Sequence, residues 1–135
     1  MNKIPNRQAI CEVLMERAQE DKDIVVLCSD SRGSASLAPF ANAYPEQFIE
    51  VGIAEQNGAA VAAGLATCGK VPFVVTYAAF GSMRICEMIR QEICYTNLNV
   101  KIACSHGGFT PANDGASHQA IEDMGILRTI PNISI

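Results

Sequence analysis

Ile24-Val25-Val26-Leu27-Cys28, running straight into Ser29-Asp30-Ser31-Arg32-Gly33-Ser34, governs how the rest of the chain reads. Five apolar residues without polar alternation read as a strand covered on both faces, and the polar run after it as a loop at the strand's C-terminal end. The pattern recurs outward from there. Phe48 to Val51, Val71 to Tyr77 and Val100 to Cys104 read as further short strands. Helical periodicity fills the intervals. Pro5 and Asn6 open a helix with Ile10, Val13, Leu14 and Ala18 on one face and Glu12, Glu16 and Gln19 on the other. Pro39 to Pro45 reads as irregular. Glu55 to Cys68 reads as a helix of small residues, and Ser82 to Tyr95 as a second long helix striped by Cys86, Ile89 and Ile93. Ser105 to Ser117 reads as a loop, Gln119 to Arg128 as a short helix, and Ile133 as the start of another extended run. Apolar strands alternating with helices predict an α/β fold in three layers, a mostly parallel sheet with helices on both faces.

Composition agrees with a single domain over residues 1–135. Hydrophobic residues make up 49% and charged residues 18%, which excludes a disordered chain. The net charge of -4 argues against nucleic-acid partners, which need a basic footprint. No apolar run approaches the ~20 residues of a membrane helix, and Met1 to Pro5 has no signal-peptide character. The six cysteines form no C-x-x-C pair, and most lie in apolar runs. Buried free thiols in the cytoplasm are therefore expected. The chain stops at Ile135 just as an apolar stretch begins, so a fragment of a longer chain is expected. So apolar a composition also predicts a partner interface.

Ligands of open α/β sheets bind beyond the carboxyl ends of the strands. Ser29 to Ser34, Gly52 to Asn57 and Ser105 to Gln119 follow three such ends and contain Asp30, Glu55, His106, Asp114 and His118. Glu55, in the first turn of a helix, either complements the helix dipole by ~0.3–1 kcal/mol or is a carboxyl in an apolar pocket that exchanges a proton near neutrality. In the loop from His106 to His118, Asn113-Asp114-Gly115 is a turn signal, yet two histidines and an aspartate together also suit a site. The chain has no His-Glu-x-x-His, Gly-x-Gly-x-x-Gly, P-loop or Gly-x-Ser-x-Gly, so no metal site of its own, ordinary dinucleotide site or hydrolase elbow is expected.

Val51-Gly52-Ile53-Ala54-Glu55-Gln56-Asn57, Val71-Pro72-Phe73 through Phe80, Asp114-Gly115-Ala116-Ser117-His118-Gln119-Ala120-Ile121-Glu122-Asp123 and Leu127-Arg128-Thr129-Ile130-Pro131-Asn132 together resemble the transketolase family. From Ile4 onward the chain resembles the pyrimidine-binding domain of these thiamine-diphosphate enzymes, as found in the C-terminal chain of bacterial split transketolases. The resemblance implies the thiamine-diphosphate-binding fold. It implies that Glu55 bonds the ring nitrogen of the cofactor's aminopyrimidine and holds a proton there, the cofactor itself performing the carbon chemistry. Phe80 matches the aromatic packed on that ring. Met83 stands where many members have a second aromatic, and Cys86 where some have tyrosine. Asp30 matches an acidic residue at the cofactor and subunit interface. Asp114 and His118 match residues contacting sugar hydroxyls, His118 counting with Glu55 as catalytic, and His106 matches a histidine near the substrate phosphate. Asn113 replaces a glutamate that the family uses in a carboxylate network between subunits.

The family's diphosphate-binding domain, with its Gly-Asp-Gly pattern, and its C-terminal domain have no counterpart here. The resemblance therefore implies Mg2+ held by a partner domain or subunit, a homo- or hetero-oligomer, sugar phosphate substrates of the pentose phosphate pathway, and inactivity of the isolated chain. Two alternatives stand beside ketol transfer. One is a part of deoxyxylulose-phosphate synthase, which shares the Ala-Glu-Gln signature and an Asp-Gly-x-x-His-Gln loop. The other is a non-catalytic regulatory pairing module.

Overall fold

The computed structural model describes residues 3–135; Met1 and Asn2, part of the segment read above for a signal peptide, lie outside the described residues. Four strands, β1 (Ile24–Cys28), β2 (Phe48–Glu50), β3 (Val71–Tyr77) and β4 (Lys101–Ser105), form one sheet in the order β2-β1-β3-β4. Every pair is parallel, with Val26 opposite both Phe48 and Phe73, and Val74 opposite Ile102. The helices are α1 (Asn6–Glu20), α2 (Ala38–Ala43), α3 (Glu55–Thr67), α4 (Cys86–Met88) and α5 (Asp123–Leu127).

All five residues of β1 are buried, because each sheet face is covered. On one face Cys11, Leu14 and Ala18 of α1 and Phe40 of α2 pack on Ile24, Val26, Cys28 and Val75. On the other, Ala62 of α3 meets Val25, Leu27 and Val74. Ala59 and Ala63 extend that layer onto Ile85, Ile89 and Ile93. The small residues of α3 let it lie close to the sheet: a Cβ on Gly58 would sit 3.3 Å from Val51 Cγ2. The three-layer parallel α/β architecture is as expected.

Several local expectations are corrected. Val13 is 55% exposed, and Cys11 takes its place on the buried stripe. Pro39 to Pro45 is largely ordered: Pro39 lies in the first turn of α2 and Pro45 opens a 3-10 turn, positions where the missing N–H costs nothing. The helix read from Ser82 to Tyr95 is interrupted. Phe80–Arg84 and Ile89–Cys94 are π-helical around the short α4, with Ile85 donating to Phe80 O (3.2 Å) and Tyr95 to Arg90 O (2.9 Å). The buried Ser82 hydroxyl donates to Ala78 O (2.6 Å), a back-bond that bends helices. The helix read from Gln119 begins only at Asp123, because Gly108 and Ala120 pair in an antiparallel bridge that keeps the chain extended there. Ile133 to Ile135 join no strand. All six cysteines are free; Cys11, Cys28 and Cys94 are buried, Cys86 is half-buried, and Cys68 and Cys104 are exposed. No helix among the described residues is long and apolar enough to cross a membrane.

Candidate functional site

The parallel sheet points every strand's C-terminus to one edge, and the polar segments gather there. After β2, the chain turns at Gly52, whose φ of +71° favours glycine, and enters α3 with Glu55 as its first residue. Glu55 is only 4% exposed. Its Oε2 accepts from Arg84 Nη1 at 2.9 Å. The same guanidinium lies over the Phe80 ring, 4.1 Å from its centroid. Gln56 Nε2 donates to Arg84 O at 3.3 Å, fixing the π-helical turn against α3.

An aromatic chain continues from Phe80 across the ends of β3 and β4. His118 meets Phe80 edge-on at 5.1 Å between ring centroids, and Tyr77 edge-on at 5.4 Å. Tyr77 in turn stacks on His106 at 4.4 Å. His106 has a φ of +57°, and its ring is pinned from both nitrogens: Nδ1 lies 2.8 Å from Ser105 Oγ and Nε2 lies 2.8 Å from Arg7 Nη1. A guanidinium only donates, so Nε2 is the unprotonated nitrogen and the proton sits on Nδ1. Burial pushes the imidazole below its usual range; the Arg7 charge adds to this, and Asp114 opposes both. Arg7, Ser105, His106 and Gly107 line a cavity of about 370 Å³ together with the apolar Ala35, Leu37 and Val75.

Glu55, Phe80, His106 and His118 are thus joined in one surface. Asp114 is exposed on the His106 side and acts on that imidazole through its charge. Asp30 belongs to a neighbouring corner: at φ +51° its N–H donates to Glu50 Oε1 (2.7 Å), which also accepts from Gly52 N–H (3.0 Å). Glu50 thereby ties the β1 loop to the turn that delivers Glu55. Met83 is 41% exposed and packs into no buried cluster. Among the described residues, no group of three or more His, Cys, Asp or Glu is placed to hold a metal ion.

Sequence reading missed Arg7, Tyr77 and Arg84. Arg84 was within reach, since it follows Phe80 by four residues, a spacing that puts helical neighbours side by side. Arg7 meets His106 across 99 positions, and no local pattern announces such a contact.

The family model for the transketolase pyrimidine binding domain matches residues 2–135. The chain belongs to the transketolase family. Among its relatives, a subunit of the apulose-4-phosphate transketolase of Phocaeicola vulgatus is 41% identical over 134 residues, covering 99% of this chain and 43% of that protein. The 1-deoxy-D-xylulose-5-phosphate synthase of Treponema pallidum is 37% identical over 128 residues, covering 95% of this chain and 20% of that protein. A solved structure described as a split gene transketolase, inactive beta4 tetramer, superposes with a TM-score of 0.83 at 50% identity, covering 97% of this chain and 42% of that one. The transketolase pyrimidine domain seen here therefore spans less than half the length of these relatives.

Proposed function

We propose that this domain forms the pyrimidine-side wall of a thiamine-diphosphate-dependent transketolase site. A diphosphate-binding domain or subunit completes that site and holds Mg2+. One observation supports this most strongly: a carboxylate buried at the start of α3 and an aromatic face lie so close that one guanidinium engages both. That donor set fits an aminopyrimidine, which needs a carboxyl at its ring nitrogen and a flat apolar surface beneath it. When bound, thiamine diphosphate supplies the nucleophilic carbon that accepts and hands on a two-carbon ketol unit between sugar phosphates.

The roles of this chain's residues follow from their surroundings. Glu55 bonds the pyrimidine and holds the proton at its ring nitrogen, its burial strengthening the bond. Phe80 would support the ring, and Met83 and Asp30 would add contacts to the cofactor. His118, held by Phe80, Tyr77 and Ser117 (Nδ1 to Oγ, 2.9 Å), orients a sugar hydroxyl and serves proton transfer; Asp114 joins it in substrate binding. His106 and Arg7 face the cavity that suits the substrate's anionic end. The chain acts as one domain of a larger homo- or hetero-oligomeric assembly, in the cytoplasm, and is inactive alone. The deoxyxylulose-phosphate synthase relative favours a second reading in which the same surface serves that synthase's chemistry. Product identification separates the two when the chain is reconstituted with a diphosphate-binding partner, Mg2+ and thiamine diphosphate. Ketol transfer abolished by Glu55→Gln supports the first reading; formation of deoxyxylulose phosphate alone overturns it.

A further inference from the structure

We infer that Arg84 is a placeholder: in the chain without cofactor it occupies both partners of the pyrimidine, Glu55 and the Phe80 face, and must leave before the cofactor binds. The inference rests on the function proposed above. Glu55 is 4% exposed, and a carboxylate so buried is costly without a cation or donor. Arg84 supplies that cation at 2.9 Å, while its own side chain is 45% exposed. The buried member of the pair is therefore fixed and the exposed one can swing into solvent. The guanidinium is flat, donates to carboxylates and stacks on aromatic rings. An aminopyrimidine is likewise flat, hydrogen-bonds a carboxyl and stacks on an aromatic ring, so the two groups compete for this corner. With Arg84 centred 4.1 Å above Phe80 and bonded to Oε2, a second flat group cannot take that ring face and that oxygen together. Arg84 is thus an autoinhibitory residue. It keeps the free domain's buried carboxylate paired and opposes cofactor entry until the assembled site compensates for its release.

The test is thiamine diphosphate affinity of the assembled complex at fixed Mg2+, read by calorimetry, for wild type, Arg84→Met, Arg84→Lys, Glu55→Gln and the Glu55→Gln/Arg84→Met double variant. Thermal unfolding of each free chain is recorded beside it. Removing one ion pair whose cation is half-exposed to solvent and one half-exposed ring contact corresponds to about five- to tenfold tighter binding by Arg84→Met. Arg84→Lys, which keeps the charge but not the flat fork, is expected between the two. The free Arg84→Met chain is expected to unfold at a lower temperature, since Glu55 loses its cation, and to gain more than wild type when the complex takes up cofactor. In the Glu55→Gln background, Arg84→Met is expected to recover less affinity than it does alone. Arg84→Met binding equally or more weakly than wild type overturns the inference and leaves the proposed function standing. Absence of cofactor binding in every complex, wild type included, overturns both.

Discussion

Gly81→Ala tests how tightly Phe80 and its turn are held against the sheet. A Cβ at Gly81 would overlap Cys104 Sγ and lie 3.1 Å from Thr76 Cγ2, and Thr76 is only 1% exposed. Cys104 is an exposed residue of the edge strand β4, with one side-chain torsion by which its sulfur can yield. Thr76 is interior and has no such freedom. Overpacking of this kind costs about 1–3 kcal/mol, and the alanine's better helix propensity returns somewhat under ~1 kcal/mol of it. Unfolding entropy of about 2.1 cal/mol/K per residue gives a chain of 135 residues a Tm loss of about 3.5 °C per kcal/mol. Gly81→Ala is therefore expected to lower Tm by about 1–7 °C, measured by circular dichroism on the full chain. Cys104→Ala removes the overlapping sulfur, so the same glycine change is expected to cost less than half as much in that background. An undiminished loss there, or no loss in the single variant, would refute the reasoning, because the turn would then stand further from β4 than described.

Four other outcomes follow from the same structure. Phe40, fully buried between α1 and the sheet, is expected to cost about 3–5 kcal/mol on truncation to alanine, read as a shift in the urea midpoint. His106 has a depressed affinity for protons in the folded state, so below about pH 6.5 the unfolded chain takes up a proton that the folded chain resists. Its contribution to stability is accordingly lost as the pH falls from about 6.5 towards the folded value, and His106→Gln is expected to flatten the Tm profile over that window; an unchanged profile would count against it. Arg7→Met removes a donor and a charge from Nε2, so the His106 pKa, followed by NMR, is expected to rise. In the assembled enzyme, Arg7→Met and His106→Ala are both expected to raise KM for phosphorylated sugars several-fold more than for unphosphorylated ones; equal effects would contradict an anion-facing role.

The sheet was legible because a parallel sheet buries both faces, leaving largely apolar runs such as Ile24 to Cys28 and Val71 to Tyr77 that alternate with helices. The helices were less so. Periodicity cannot register the Ser82 back-bond or the close approach of Cys104 to Gly81, which accompany the π-helical turns. Nor does it reveal that Gly108 pairs with Ala120 and holds off α5 until Asp123. Prolines read as breakers over Pro39 to Pro45, although Pro39 in a first turn favours a helix. At the site, Glu55, His106 and His118 were singled out by their place in polar segments after strand ends, and Phe80 by motif resemblance. Arg7 and Tyr77 were missed because their contacts exist only once β3, β4 and α1 are side by side, whereas the contact of Arg84 with Phe80, four residues before it, was within reach.

The central claim is that Glu55 works on the pyrimidine of a site shared with another domain. Ketol transfer by this chain combined with a diphosphate-binding partner, Mg2+ and thiamine diphosphate, with wild type and Glu55→Gln in parallel, tests it most directly. The account predicts turnover with wild type and a loss of about 100-fold or more with Glu55→Gln, as befits removal of a positioned proton-transfer group. Near-normal turnover in Glu55→Gln, with the complex intact, would contradict it.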